Sequence, residues 1–138
     1  MKKVVAVVRL EKLSVVKGSL EREGFQGMTV TPVSGAGAEK GIILQWRGHR
    51  HQEELVPRVK LEVVAPDMDV PKIADTICGA AKTGRIGDGR IFVEPVEAVI
   101  RIRDGKRGED VIAPGRLVEI TRKAGVAEEA EQLEYEVA

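Results

Sequence analysis

The sequence predicts an α+β fold in one domain, with an antiparallel sheet that carries both helices on one face. Two observations indicate this class. A strand–helix–strand pattern occupies residues 3–34, and a second one begins near Val59. Between them, residues 35–57 contain three glycines at their start and no sustained apolar period. A connection of this length inside one domain is generally functional or disordered.

The first half begins with a β-branched run at residues 3–8, which is typical of a buried strand. A helical stripe follows, and Gly24 is suited to end that helix. Thr29 to Ser34 is predicted to be a second strand. Because Pro32 cannot donate a ladder hydrogen bond, this strand should lie at a sheet edge. The apolar stripe of the first helix consists of Leu13, Val16 and Leu20.

The second half begins with a predicted strand at residues 59–64, followed by a helix that Asp69 can cap and that has Pro71 in its first turn. Strands are predicted at 90–93 and 96–103, with a break at Pro95. The order βαβ, long connection, βαβ predicts a ferredoxin-like βαββαβ sandwich, in which the second strand lies at an edge. The apolar stripe of the second helix is Val70, Ile73, Ala74, Ile77 and Ala81.

Composition excludes several classes of function. The chain of 138 residues has 22 basic and 22 acidic side chains, so its net charge gives no attraction to nucleic acid or to anionic membranes. The apolar run at the N-terminus is short and is broken by Arg9, unlike a signal peptide or a membrane span. A single cysteine, Cys78, excludes an intrachain disulfide and is predicted to be buried in the second helix. We therefore expect a cytoplasmic protein without membrane insertion.

The segment at residues 82–90 has the strongest chemical signal. Three glycines and two arginines, Arg85 and Arg90, directly precede the apolar run that starts at Ile91. Glycine allows close approach of backbone N–H groups, and successive N–H groups make an anion-binding concavity. Arginine suits phosphate. The pattern predicts a phosphate-binding loop that is not a Walker A loop. The alternative is an ordinary glycine-rich turn.

Two further patterns have competing interpretations. Period-two alternation at residues 100–103 would place Arg101 and Arg103 together on one strand face, either as part of a polyphosphate site or as a solvated surface. His49 and His51 form an H-x-H pair that could ligate a metal or simply be exposed. Trp46 in the same polar segment indicates a protein contact. No nucleophile–base set is present, so we do not expect an enzyme.

Seven short motifs between residues 1 and about 105 belong together. They are Gly27-Met28-Thr29-Val30-Thr31, Gly35-x-Gly37, Lys40-Gly41, Arg47-Gly48, Pro57-x-Val59-Lys60, Thr83-Gly84-x-Ile86-Gly87-Asp88-Gly89 and Val99-Ile100-Arg101-Ile102-Arg103. With these motifs the chain resembles the P-II nitrogen regulatory proteins. The resemblance implies a homotrimer of ferredoxin-like subunits with nucleotide sites in the clefts between subunits, where ATP and ADP compete.

The resemblance also implies which residues hold the nucleotide. One subunit contributes a phosphate-binding group, a neighbour contributes two arginines, and further positions line the adenine, the ribose and the phosphates. The phosphate-binding group is Gly87, Asp88, Gly89 and Arg90, the neighbour's arginines are Arg101 and Arg103, and the lining positions are Thr29, Gly35, Gly37, Glu62 and Val64.

Residues 35–57 correspond to the T-loop of that family, which binds partner proteins such as ammonium channels, modifying enzymes and enzymes of nitrogen metabolism. The resemblance divides the chain into a P-II domain at 1–112 and a C-terminal extension at 113–138. The partner-binding positions are Trp46, Arg47, His49 and His51, and the positions for a small effector are Glu39, Lys40, Gly41 and Arg58.

Some positions depart from the family pattern. His49 and His51 stand where relatives carry a phosphorylated serine and a uridylylated tyrosine, so neither modification is expected. Glu39 replaces a glutamine that helps hold magnesium together with 2-oxoglutarate. A carboxylate there could still bind Mg²⁺ beside ATP, but it would weaken binding of a dianionic acid. Ala38 replaces an arginine that contacts ATP phosphates, which favours ADP or AMP.

The departures leave two functions open. The first is a nitrogen regulator of the usual P-II type. The second is a divergent sensor of AMP, ADP or another small ligand such as bicarbonate, acting in carbon or metal handling without sensing 2-oxoglutarate. A third possibility, an enzyme such as a phosphatase, rests on fold analogy alone.

Overall fold

The computed structural model describes residues 1–37, 43–46, 49–52 and 55–112, with side chains described for 1–37 and 55–112. Short turns of 3₁₀ helix precede both α-helices. The elements are β1 (Lys2–Arg9), α1 (Leu13–Arg22), β2 (Thr29–Gly35), β3 (Ile43–Trp46), β4 (His49–Gln52), β5 (Val56–Ala65), α2 (Val70–Ala81) and β6 (Gly89–Pro95).

Four strands form an antiparallel sheet in the order β2-β5-β1-β6. This order, with one helix after β1 and one after β5, confirms the predicted ferredoxin-like topology. Pro32 lies in β2, opposite Val59 of β5. Strand β2 is at the edge of the sheet, as predicted from the missing N–H donor of the proline.

The core lies between the two helices and one face of the sheet. Alternate residues of β1 point toward the helices, and Val4 and Ala6 pair there with Val63 and Leu61 of β5. The predicted stripes supply the other side of the core. They include Val16 and Leu20 on α1, and Ile73, Ile77 and Ala81 on α2, all of which are buried.

The predicted strand at residues 96–103 is wrong. After β6 ends at Pro95, the chain makes only an isolated bridge between Ile100 and Arg107, with a turn at residues 102–104. Alternation alone does not make a strand, because backbone N–H and C=O groups need a paired neighbour. The turn exposes Ile102 completely, and Arg101 and Arg103 do not share a strand face.

The predicted burial of Cys78 is also wrong, since its side chain is exposed. Ile73, Ile77 and Ala81 face the sheet, and Cys78 follows Ile77 by one position, which rotates it by roughly 100° around the helix axis. Asp69 occupies the N-cap position of α2 as predicted, but its side chain makes no capping hydrogen bond and is 6% exposed.

Residues 35–57 contain more regular structure than their composition predicts. Strands β3 and β4 pair antiparallel as a two-stranded sheet, in which Leu44 lies opposite His51 and Trp46 opposite His49. Within the residues that the structure describes, neither helix is long and apolar enough to cross a membrane.

Candidate functional site

The glycine loop, residues 82–90, connects the end of α2 to the start of β6. Its centre is the carboxylate of Asp88, which accepts hydrogen bonds from the N–H groups of Thr83 at 2.8 Å and Gly84 at 2.9 Å. The Thr83 hydroxyl donates to the same carboxylate, and the Arg85 N–H donates to that hydroxyl at 3.2 Å. Asp88 therefore holds the loop in shape from within.

Arg9 attaches this loop to the sheet. Arg9 lies at the end of β1, is 5% exposed as a residue, and donates from Nε to Asp88 Oδ1 at 3.1 Å. Its Nη2 donates to the carbonyl of Ile86 at 2.9 Å. Hydrogen bonds from Thr83, followed by those from Gly84 and Arg9, hold the pKa of Asp88 well below its usual range. Asp88 is thus ionised whenever the loop is formed near neutral pH.

Two glycines of this loop have a backbone conformation that other residues adopt at a cost. Gly87 has φ +101° and Gly89 has φ +102°. At Gly89 a Cβ atom would lie 1.7 Å from the carbonyl oxygen of Val7 in β1. The loop can follow this path only because Gly89 lacks a side chain.

The loop presents groups suited to an anion. Within the part of the chain that the structure describes, the N–H groups of Ile86 and Gly87 donate no hydrogen bond. Arg85 and Arg90 are exposed and form no ion pair with another described residue. Backbone amides beside two guanidiniums are the groups that bind phosphate in proteins.

The pairing register brings several predicted lining residues to the helix-free face of the sheet. Thr29 lies opposite Glu62, and Val64 is two positions further along β5 on the same face. Arg90 lies opposite Val7 and points to the same side. Gly35 ends β2, and a Cβ there would lie 3.5 Å from Cγ of Arg58, on the next strand. Gly37 follows just beyond the strand.

Arg101 lies in a tight hairpin rather than on a strand. Its Nε and Nη2 donate to the two carboxylate oxygens of Asp104, at 3.0 and 2.5 Å. The pKa of Asp104 is held below its usual range, chiefly by this hydrogen bonding from Arg101. Arg103 is exposed in the turn between them.

Several predicted positions lie outside the described residues, so the structure leaves them as predictions. They are Glu39, with its proposed Mg²⁺, Lys40, Gly41 and Arg47, and the side chains of Trp46, His49 and His51. Among the side chains that are described, no group of three or more His, Cys, Asp or Glu residues could hold a metal ion.

Sequence reasoning missed Arg9 and Asp104. In the sequence Arg9 is the residue that ends an apolar run, and a charge at the end of a buried strand indicates a buried partner. That partner lies 79 residues away, so its identity could not be inferred from local pattern. The sequence around Asp104 does indicate its role: Asp104 lies three residues after Arg101 and precedes a glycine, a pattern that favours a turn bringing the two side chains together.

The fold and the loop define a ferredoxin-like α+β protein with a preformed glycine loop that Arg9 holds against the end of β1. Comparisons with known proteins identify the family within this class. The profile of the family "Nitrogen regulatory protein P-II" matches residues 1–106. The chain therefore belongs to the P-II family of signal transduction proteins, which are regulators, and the resemblance found in the sequence is confirmed.

Individual relatives agree with the profile. Nitrogen regulatory protein P-II 2 of Methanothermobacter thermautotrophicus is 46% identical over 112 residues, covering 81% of this chain and 97% of the relative. Nitrogen regulatory protein P-II of Azospirillum brasilense is also 46% identical over 112 residues, covering 81% and 100%. The crystal structure of Arabidopsis thaliana PII bound to citrate matches with a TM-score of 0.65 and 38% identity, covering 79% of this chain and 86% of that one.

Proposed function

We propose that this P-II protein binds ATP and ADP in clefts between the subunits of a homotrimer and regulates nitrogen metabolism through its T-loop. The observation that carries the proposal is the glycine loop held by Asp88 and Arg9, with two backbone amides and two exposed arginines available to an anion. Such a site is preorganised, so little ordering entropy opposes phosphate binding.

We infer that a neighbouring subunit completes the site, because one subunit alone would leave the phosphates of a bound nucleotide partly uncovered. The loop itself is short and exposed, and the hairpin that carries Arg101 and Arg103 also exposes Ile100 and Ile102. Exposed isoleucines beside arginines are suited to contact with another protein surface. We assign that surface to a second copy of this chain, which would bring the two arginines to its neighbour's loop.

The helix-free face of the sheet supports the trimer independently. Val5 at its centre is 8% exposed although no helix covers it, and the adjacent Phe92 is 50% exposed. Lys3 lies between Glu62 at 3.8 Å and Glu94 at 3.5 Å on the same face. An apolar centre surrounded by charged pairs is typical of a protein interface.

Phe92→Asp is therefore expected to dissociate the trimer. Burial of a phenylalanine contributes about 1.5–3 kcal/mol, so the subunit dissociation constant should rise at least about tenfold. Light scattering during size-exclusion chromatography over a concentration series measures this. Met68→Asp is the matched control, because Met68 is equally apolar, 72% exposed and lies in the turn before α2. A Phe92→Asp variant that stays trimeric contradicts the proposed interface.

The proposal as a whole is tested by calorimetric titration of the full chain with ATP, ADP and AMP, combined with a mass measurement in solution. We expect a trimer with one nucleotide per subunit. Absence of binding at millimolar nucleotide would overturn the assignment. Co-purification from the native cell, comparing the full chain with a variant that lacks residues 38–54, then tests partner binding by the T-loop.

Gly87→Val and Arg103→Ala are expected to abolish nucleotide binding without unfolding the domain. Valine at φ +101° is strained and distorts the loop, whereas Arg103→Ala removes a phosphate-binding charge. Calorimetry should show no binding at millimolar nucleotide in either variant, and circular dichroism should show unchanged secondary structure. Retained affinity in both variants would show that the nucleotide binds elsewhere.

A second function is favoured by Glu39 and Ala38. We propose as the alternative a sensor of AMP, ADP or a small anion such as bicarbonate, acting in carbon or metal handling without 2-oxoglutarate. A P-II relative has been crystallised with citrate, so carboxylic acids belong among the ligands to test. Titration of 2-oxoglutarate in the presence of Mg-ATP separates the two functions. Tight binding supports ordinary nitrogen sensing and rejects the alternative.

A further inference from the structure

The hairpin at residues 99–108 holds Arg101 in a closed arrangement with Asp104. The N–H of Arg101 donates to the carbonyl of Lys106, and the N–H of Gly105 donates to the carbonyl of Arg101, both at 2.8 Å. Asp104 Oδ1 also accepts the N–H of Lys106 at 3.1 Å. We name the bidentate pair of Arg101 and Asp104 the carboxylate clamp.

The clamp uses the part of arginine that recognises phosphate best. A guanidinium binds carboxylate or phosphate through two parallel N–H donors, and here Nε and Nη2 both donate to Asp104. A phosphate that approaches Arg101 must either displace this carboxylate or lie beside it. Displacement costs the energy of the existing pair, and coexistence places two negative charges close together.

We propose that Asp104 is a built-in competitor of phosphate at Arg101 and lowers the affinity of the nucleotide site. This inference rests on the proposed function, because it assumes that Arg101 contacts nucleotide phosphates. It adds a residue that limits affinity and that acts most strongly on the nucleotides whose phosphates reach Arg101.

Local geometry makes the competitor effective. Asp104 is only three residues from Arg101, and the turn between them holds the carboxylate in place without an external ligand. The hydrogen bonds of the pair lie at the surface, with the Arg101 side chain 15% exposed and the Asp104 side chain 31% exposed, so a phosphate can reach Arg101 where the carboxylate holds it. Because the competing carboxylate belongs to the same chain as Arg101, its competition does not depend on protein concentration.

The test is Asp104→Asn in the full chain, titrated by calorimetry with ATP, ADP, AMP and adenosine. Asparagine keeps an acceptor for the Lys106 N–H and suits a turn, so the hairpin should remain folded. We expect affinity for at least one phosphorylated nucleotide to rise about three- to tenfold, while adenosine, which has no phosphate, binds unchanged. Unfolding experiments on both proteins check that the domain is intact.

Two comparisons make the result specific. Asp75→Asn removes the same charge from the exposed side of α2 and should leave the affinities unchanged. In an Arg101→Ala background, Asp104→Asn should lose most of its effect, because the guanidinium for which the carboxylate and the phosphate compete is absent. Equal nucleotide affinity in wild type and Asp104→Asn, or weaker binding in the variant, contradicts the role of Asp104 as a competitor of phosphate and leaves the proposed function intact. No nucleotide binding by either protein overturns both.

Discussion

Gly89→Ala is expected to destabilise the folded protein by more than about 3 kcal/mol, a large fraction of the roughly 5–15 kcal/mol that stabilises an ordinary domain. Its Cβ would lie 1.7 Å from the carbonyl oxygen and 2.8 Å from the carbonyl carbon of Val7, and the backbone φ of +102° is itself unfavourable for alanine. Both contacts are with the backbone of β1, so no side-chain rotation relieves them. Only separation of β6 from β1 would relieve these two contacts.

Gly79→Ala is the matched control, because Gly79 lies in α2 and an added Cβ meets nothing within 4 Å. Alanine there should stabilise the protein by about 0.5–1 kcal/mol, through its better helix propensity. Urea unfolding followed by circular dichroism measures both variants. If Gly89→Ala were as stable as wild type, the close approach of Gly89 to β1 would be contradicted.

Asp88→Asn is expected to reduce nucleotide affinity at least about tenfold and to destabilise the loop. The carboxylate accepts hydrogen bonds from Thr83, Gly84 and Arg9, and an amide presents only one acceptor oxygen. The substitution also removes the negative charge beside the guanidinium of Arg9, a residue that is only 5% exposed. Loss of one partner of a shielded pair costs more than the pair itself contributes.

Low pH should destabilise the wild-type protein for the same reason, because it protonates Asp88. The folded-state pKa of Asp88 is depressed, so its contribution to stability is complete above the unfolded-state pKa of about 3.9 and is lost as the pH falls below that value. Wild type should exceed Asp88→Asn in stability from pH 5 to 7, and the difference should shrink below about pH 4. Urea unfolding at pH 7, 5 and 3 measures it.

Asp110→Asn is the control for this pH series, since Asp110 is exposed and makes no ion pair with another described residue. Its stability should follow wild type at every pH. A difference between wild type and Asp88→Asn that stays constant from pH 7 to pH 3 would contradict the role of the ionised carboxylate.

The sequence by itself determined the fold class and the position of the candidate site. Apolar periods of two and 3.6 residues depend only on the chain, so both strand–helix–strand halves were predicted, and Pro32 placed β2 at an edge through its missing donor. The glycine loop was recognised for the same reason, because glycine and arginine at short spacing determine what its backbone and charges can bind.

The tertiary structure alone decided which charges meet. Arg9 and Asp88 are 79 residues apart and pair only because β1 lies beside β6 in the sheet. The alternating residues 100–103 form no strand, because no neighbouring strand of the described chain offers them a ladder of hydrogen bonds. Periodicity describes one segment, whereas strand pairing and ion pairing depend on a second segment whose position only the folded chain determines.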